Sequence, residues 1–305
     1  MASGGKGTVI AALAANGLIT VTKVFAAVVS GSTAMMAEAL HSFADTSNQA
    51  LLLVGLTKSQ KEADEFRPLG YGRETYFYTF LVSLVIFFLG GAFAIYEGVQ
   101  KLLETEAHPV DPFWAILVLG ASIVFESGSM TVAFKEFNEI REGRNFWQVV
   151  TQGKNPVVPT VLFEDGAAII GSGIALAGVF LSTQLKMPWI DGAASVMIGI
   201  LLSSIGIFLA YESRSLLIGE AATDEDRKKI RAAIESIEEV IKVEELLAPQ
   251  LGPDEIMVNV AINFQQGLTT QQLEEVIDRI EERIQKAVPS VKRLFIEVES
   301  LKKLA

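Results

Sequence analysis

The first part of this 305-residue chain is dominated by six apolar runs, each long enough to cross a bilayer as a helix. They lie at about 8–30, 33–57, 76–103, 112–135, 157–183 and 188–211. A hydrocarbon core of about 30 Å is crossed by roughly 20 helical residues. Only helices and closed barrels satisfy their own backbone groups in lipid, and continuous runs of this length favour helices. The sequence therefore predicts a membrane all-α domain, a six-helix transmembrane bundle over residues 1–214.

Basic residues indicate how these helices cross the membrane. Lys and Arg cluster in two loops, at Lys58, Lys61, Arg67, Arg73, Lys135, Arg141, Arg144 and Lys154. The loops on the opposite side carry Lys101 and Lys186. Because basic loops stay in the cytoplasm, both termini are predicted to be cytoplasmic. The first run has no clear cleavage site and does not resemble a transit peptide, so we expect a multi-pass protein of a prokaryotic cell inner membrane.

After Arg214 the continuous apolar runs give way to short amphipathic segments. Helices are predicted from Thr223 and from Thr269, and Thr269 and Gln272 have the spacing of a capping box. Strands are predicted at 242–252, 255–264 and 291–300. The order αββαβ predicts an α+β, ferredoxin-like cytoplasmic C-terminal domain over residues 215–305.

Composition excludes several classes of function. The net charge is −11, and the short part of the chain after Arg214 carries just over half of it, which argues against nucleic acid as a partner. The chain has no cysteine, so disulfides and thiolate metal sites are excluded. The sequence contains neither a nucleophile–base pattern nor a nucleotide-binding loop, so we expect neither an enzyme nor a cofactor. The segment 137–155 is polar and is predicted to be a cytoplasmic loop.

The second run carries polar residues at Glu38, His41, Asp45 and Asn48. Ionisable groups inside membrane helices are costly, so each is a candidate for function. Spacings of three and four residues place them on one stripe of a helix. His41 and Asp45, one turn apart, could bind a single ion such as zinc. Alternatively, the stripe only joins neighbouring helices.

The fifth run contains adjacent carboxylates, Glu164 and Asp165. Neighbouring helical residues point about 100° apart, so the two side chains are not expected to face one site equally. One could bind a metal while the other contacts a neighbouring helix or the cytoplasmic mouth. Alternatively, both are surface charges favoured by the start of the helix.

Further polar residues in the predicted helices have structural interpretations. Lys23 is expected to form an ion pair or to extend towards the membrane surface. Glu97 and Glu126 are expected to contact neighbouring helices or, alternatively, to orient the ligands of a site. Asp191 opens the sixth run, where an aspartate is a natural N-cap. His108 lies in a loop where nothing nearby completes a site.

Several motifs resemble the cation diffusion facilitator family. They are "ALHSFADTSNQALLLVG" in the second run, "RPLGYGRETYFY" at the third, the acidic start of the fifth and "DGAASVMIGILL" in the sixth. The αββαβ tail resembles the cytoplasmic domain of that family. "VLFEDGAA" and "YEGVQKLLE" look most like its zinc transporter 9-like branch. The resemblance covers nearly the whole chain and keeps the motifs in order.

The resemblance implies a homodimeric exporter of a divalent metal, usually zinc, driven by inward proton flow. The family's helix-two ligands carry over onto His41 and Asp45, and its helix-five aspartate onto Asp165. The helix-five position usually held by histidine is Val161 here. Either Glu164 or a water molecule then takes the place of that histidine, or the ion is held by fewer protein groups.

These expectations combine into an alternating-access metal/proton antiporter in a lipid bilayer, with Zn²⁺ as the first choice. Its rivals are a Mn²⁺, Fe²⁺ or Co²⁺ exporter of the same fold and a non-transporting, metal-sensing membrane scaffold. The tail has no histidine, so a metal there would need carboxylates such as Asp254, Glu255 or Glu297. We expect the tail to dimerise the protein without a high-affinity zinc site.

Overall fold

The computed structural model of the protein describes residues 5–103, 112–141 and 143–299, without the side chains of residues 5–15 and 140. His108 lies outside these residues. The chain divides into two compact units. The first comprises Met1–Thr57, Phe77–Phe146 and Pro156–Arg214, and the second Lys58–Tyr76, Trp147–Asn155 and Ser215–Ala305.

Helices account for all six predicted apolar runs. They are α1 Gly5–Ser30, α2 Thr33–Ser59, α3 Glu74–Val85, α4 Phe93–Leu103, α5 Pro112–Arg141, α7 Val157–Leu185 and α8 Trp189–Ile218. A π-helical segment, Ile86–Ala92, joins α3 to α4, so the third run is one continuous helical segment.

Four helical segments among the described residues are long and apolar enough to cross a membrane: 74–103, 112–139, 157–185 and 189–218. The described apolar part of α1, Asn16–Ser30, is shorter, and α2 carries the polar stripe. A helical membrane region is therefore observed, while the count of six crossings stays a prediction.

The interpretation of 137–155 as a loop is wrong in two places. Helix α5 continues to Arg141, and a short helix, α6, spans Phe146–Gln152. Val149 and Val150 on α6 are buried. Burial of these two apolar residues outweighs the polar character that had suggested a loop.

Helix α8 packs closely against the segment formed by α3, the π-helical turn and α4. A Cβ added to Gly199 would lie 2.6 Å from Ile95 Cγ1 and 2.7 Å from the carbonyl oxygen of Gly91. No real Cβ approaches other atoms so closely. Glycine at position 199 therefore lets the two backbones meet, as small residues commonly do in membrane helices.

Asp191 caps a helix other than the one that contains it, so the prediction that it caps its own helix is wrong. Helix α8 begins two residues earlier, at Trp189. The Asp191 carboxylate accepts hydrogen bonds from Ser32 Oγ at 2.5 Å, the Thr33 backbone N–H at 2.6 Å and Thr33 Oγ1 at 2.9 Å. These donors belong to the start of α2, so Asp191 fixes the first turn of the helix that carries the polar stripe.

The second unit contains helices α9 Asp224–Glu235 and α10 Thr270–Ala287 and the strands β1 Val240–Leu247, β2 Gln250–Gly252, β3 Glu255–Phe264 and β4 Val291–Val298. Strand β3 pairs antiparallel with β1 and β2 and parallel with β4. The predicted strand 242–252 is thus divided in two. The division falls at Pro249, which has no N–H to donate to a ladder.

Ile256, Val258, Val260 and Ile262 on one face of β3 are all buried in one apolar core, and from Val260 to Phe264 the residues of the other face are buried as well. Both helices contribute to this core, among them Ile230 from α9 and Ile280 from α10. The order of helices and strands agrees with an α+β tail, and a ferredoxin-like fold stays a prediction.

The loop residues grouped with the tail are held there by polar contacts. Lys154 Nζ lies 2.5 Å from Glu220 Oε2, Ser215 Oγ lies 2.5 Å from Glu220 Oε1, and Tyr76 donates to the Lys154 carbonyl oxygen at 3.0 Å. Burial raises the pKa of Glu220, but the hydrogen bonds from Lys154 and Ser215 outweigh it and hold the pKa below its usual range. Glu220 is therefore ionised at neutral pH and anchors the segment 147–155.

The predicted capping box at the start of α10 is present. The Thr269 hydroxyl accepts from the Gln272 backbone N–H, and the Gln272 side chain accepts from the Thr269 backbone N–H. We expect Thr269→Ala to lower the free energy of unfolding by about 1 kcal/mol, because one cap bond is lost. Urea denaturation of the full chain measures this, with Thr270→Ala as the control. An equal loss in both variants would contradict the capping role.

Candidate metal site

The polar stripe on α2 lies inside the first unit rather than on its surface. Glu38, His41 and Asn48 have no exposed surface, and the Asp45 side chain is 19% exposed. His41 Nδ1 lies 3.4 Å from Asp45 Oδ1, as expected for side chains one helical turn apart. The predicted pairing of these two residues along α2 is therefore geometrically sound.

A cavity of about 130 Å³ opens beside Asp45. Its wall brings together carboxylates from α2, α5 and α7, namely Asp45, Glu126, Glu164 and Asp165. Ser42, Gln49 and Ser129 add polar groups to the same wall. His41 is joined to the cavity through its contact with Asp45. A small, acid-lined space of this kind suits a cation and its remaining water.

Glu164 and Asp165 both line this cavity but contact different helices. Glu164 is buried and accepts a hydrogen bond from Asn48 Nδ2 on α2 at 2.7 Å. Asp165 accepts from Ser129 Oγ on α5 at 2.8 Å. Their different directions follow from the rotation of about 100° between neighbouring helical residues. Surface charge alone does not explain side chains held in this way.

Several buried atoms of the stripe have no hydrogen-bond partner among the described residues. They are Glu38 Oε1, both ring nitrogens of His41, Asp45 Oδ1 and Asn48 Oδ1. Buried polar groups in native proteins are nearly always satisfied, so such a group calls for an explanation. Imidazole nitrogen and carboxylate oxygen are the donors that zinc accepts besides thiolate. The chemistry of these atoms fits a transiently bound divalent cation.

The predicted ligands do not converge on one point in this structure. Within the described part of the chain, no three His, Asp or Glu side chains lie close enough together to hold a metal ion. Val161, one turn before Asp165, packs with apolar neighbours of the membrane region. The candidate ligands His41, Asp45, Glu164 and Asp165 therefore surround or adjoin a cavity rather than forming a closed shell.

Two cavity residues on α5 received little weight from the sequence: Ser129 was not considered, and for Glu126 helix packing was favoured over a supporting role at the site. They are three residues apart, so they share one face of α5. This spacing was the available signal. The structure also gives Glu126 a cationic partner, Lys23, whose Nζ lies 2.7 Å from Glu126 Oε1. Glu97, on α4, is partly buried and is not among the residues that line the cavity.

The acidic residues proposed for a tail site lie at two ends of the sheet. Asp254 and Glu255 are at the start of β3, whereas Glu297 on β4 is opposite Ala261. Six residues of strand separate Ala261 from Glu255, which is about 20 Å. Glu297 therefore cannot share one ion with the other two.

Two family models match the helical region and the tail separately. Residues 9–218 match the cation efflux transmembrane domain, and residues 222–301 match the cation efflux protein cytoplasmic domain. A C-terminal domain of MamM, solved in a cadmium form, covers 26% of this chain and 98% of its own length, with 19% identity and a TM-score of 0.24.

Similar proteins are found in animals, plants and bacteria. The mitochondrial proton-coupled zinc antiporter SLC30A9 of Xenopus laevis is 32% identical over 86% of this chain and 47% of its own length. Metal tolerance protein C4 of Arabidopsis thaliana is 29% identical, over 88% and 68%. Magnetosome protein MamM of Magnetospirillum gryphiswaldense is 25% identical, over 94% and 86%.

The chain spans about half the length of the SLC30A9 relatives it matches. The transmembrane match covers more than half of the chain and includes α2, α5 and α7, the helices that contribute the carboxylates of the acidic cavity. The chain belongs to the cation efflux family of membrane transporters and carries that family's cytoplasmic domain.

Proposed function

We propose that this protein is a membrane carrier that exports a divalent metal cation in exchange for protons, with Zn²⁺ as the first choice. The observation that carries the proposal is the set of unpaired buried atoms on His41 and Asp45 beside a cavity lined by further carboxylates. A divalent cation would satisfy these atoms and offset the negative charge around them.

The proposed ligands are His41, Asp45 and Asp165. Glu164 is the candidate for the fourth ligand, because the position that usually supplies a histidine is Val161 in this chain. A bound metal requires a neutral imidazole and ionised carboxylates, so protons and metal compete for the same atoms. Metal would enter from the cytoplasm, and movement of the helices would expose the site on the other side. Protons would then displace the metal and reset the carrier.

Zinc is supported by the relatives named as zinc antiporters and by the mixed nitrogen and oxygen donors. Mn²⁺, Fe²⁺ and Co²⁺ are the alternatives, because oxygen donors outnumber nitrogen donors once Val161 replaces a histidine. We also propose that residues 215–305 hold two copies together without a zinc site of their own. A prokaryotic inner membrane with both termini in the cytoplasm remains the proposed location.

Uptake into proteoliposomes tests the proposal. With the full chain in vesicles, zinc flux should follow an imposed pH gradient and stop when the gradient is collapsed. A panel of Zn²⁺, Mn²⁺, Fe²⁺ and Co²⁺ identifies the preferred ion. Metal binding without flux under any gradient would contradict the antiporter and favour a sensing scaffold.

A pair of neighbouring substitutions tests whether Glu164 replaces the missing ligand. If Glu164 binds metal, both Glu164→Gln and Asp165→Asn should weaken zinc binding by at least about tenfold, since each removes one charged donor. Isothermal titration of purified protein at constant pH measures both. Near wild-type affinity in Glu164→Gln, together with loss in Asp165→Asn, would assign Glu164 to the contact with Asn48 alone.

A further inference from the structure

Lys23, seven residues before the end of α1, is the one Lys or Arg side chain that is fully buried among the described residues. Its Nζ lies 2.7 Å from Glu126 Oε1 on α5 and 3.1 Å from Glu38 Oε2 on α2. A buried ammonium group in a membrane helix is costly unless it is paired. Lys23 is therefore held as an ion by two carboxylates from two other helices.

A fourth helix completes this cluster. Ser172 Oγ on α7 lies 2.9 Å from Glu38 Oε2 and 3.2 Å from Glu126 Oε2. The neighbouring Gly171 makes room for the carboxylate, since a Cβ there would lie 2.2 Å from Glu38 Oε1. Helices α1, α2, α5 and α7 thus meet around one ammonium group.

The two carboxylates differ in what else they face. Glu38 has no exposed surface and is not among the residues lining the acidic cavity. The Glu126 side chain is 14% exposed and forms part of the wall that also contains Asp45, Glu164 and Asp165. Glu126 therefore belongs both to the Lys23 cluster and to the candidate metal site.

Charge within the cluster is unbalanced. One ammonium faces two carboxylates, which leaves one negative charge, and Glu126 is the carboxylate that can present it to the cavity. A divalent cation in the cavity attracts that carboxylate more strongly than a single ammonium does at equal distance. Lys23 and an entering dication are thus competitors for the same group.

We infer that Lys23 is a counter-cation of the metal site, fixed in place on α1. Its ammonium group pairs with Glu126 while the cavity is empty, and a divalent cation that enters the cavity takes Glu126 from it. This inference rests on the proposed function. Lys23 then keeps the affinity for metal moderate, because binding must break the contact between Lys23 and Glu126. Lys23 also assists release of the metal, because its ammonium group forms the ion pair with Glu126 again when the metal leaves. Lys23 is a positioning residue and does not touch the metal.

Zinc titration of the purified full chain at constant pH tests the inference. Glu38→Gln leaves Lys23 with Glu126 alone, and the double variant Lys23→Met/Glu38→Gln then removes the ammonium from that background. We expect the double variant to bind Zn²⁺ about tenfold more tightly than Glu38→Gln, because Glu126 is freed. The exposed pair Lys286 and Glu282 supplies a charge-matched control, Lys286→Met/Glu282→Gln, which should leave affinity unchanged.

Equal or weaker zinc binding in the folded double variant would overturn the inference. Should that variant be recovered unfolded, Glu126→Gln decides the matter, because Lys23 keeps Glu38 as its partner there. Glu126→Gln should weaken zinc binding by about tenfold, and wild-type affinity would overturn the inference. Absence of binding of all four metals to the wild-type chain would instead overturn the proposed function together with the inference.

Discussion

Asp45→Ala is expected to reduce proton-driven metal flux by at least about 100-fold, since removal of groups that only support a ligand already costs about 10–100-fold in affinity. The substitution takes a carboxylate from the cavity wall and leaves His41 without its neighbour at 3.4 Å. Because the same carboxylate is proposed to carry a proton on the return step, both directions of the cycle are impaired. Initial rates of zinc uptake in proteoliposomes measure the effect.

Asp165→Ala should have an effect of similar size, because Asp165 lines the same cavity from α7. Asp278, exposed on α10, provides the control, and Asp278→Ala should transport at the wild-type rate. Equal melting temperatures of the purified variants would show that the loss is not due to unfolding. Flux above about one tenth of wild type in Asp45→Ala would rule out a ligand role for Asp45.

Gly199→Ala is expected to lower the free energy of unfolding of the full chain by about 1–3 kcal/mol, because overpacking a tight interface forces backbones apart. The added methyl group would overlap Ile95 and the Gly91 carbonyl oxygen. Two of the atoms that it would meet, the Gly91 carbonyl oxygen and the Ile95 backbone nitrogen, are backbone atoms of the π-helical segment and α4, so they cannot move aside as a flexible side-chain end would. Thermal unfolding in detergent measures the change.

Gly173→Ala makes the same chemical change in another membrane helix, where a Cβ would meet no atom within 4 Å. Because alanine favours helix over glycine, this control should be neutral or more stable by up to about 1 kcal/mol. Similar melting temperatures for the two variants would contradict the prediction, because the packing between α8 and α4 would then accommodate the added methyl group.

Features set by local pattern were predicted from the sequence. Length and apolar character placed the starts of all six helical segments within three residues, although α5 and α8 end six and seven residues later than predicted. The spacing of Glu38, His41, Asp45 and Asn48 gave their common stripe. The capping box at Thr269 was confirmed for the same reason. Each depends on neighbours within one or two turns of the chain.

Contacts between distant segments could not be predicted in this way. Asp191 caps α2 across 158 residues, and Lys23 meets Glu126 across 103 residues. A local rule assigned Asp191 to the nearer helix start, which is why that prediction failed. The cavity likewise depends on how α2, α5 and α7 meet, so the partners of Glu164 and Asp165 became visible only in the folded chain.

The pair formed by Lys23 and Glu38 has a consequence for how the chain enters the bilayer during synthesis. A lysine at the centre of a membrane helix costs about 2.5–3.5 kcal/mol on insertion scales, so Lys23, seven residues before the end of α1, makes insertion of α1 alone less favourable. Glu38 follows Lys23 by 15 residues, beyond the turn at Gly31, whereas Glu126 is made much later. We expect α1 and α2 to insert together as one hairpin. A nascent chain ending before Glu38 should leave α1 outside the bilayer, which glycosylation mapping would detect.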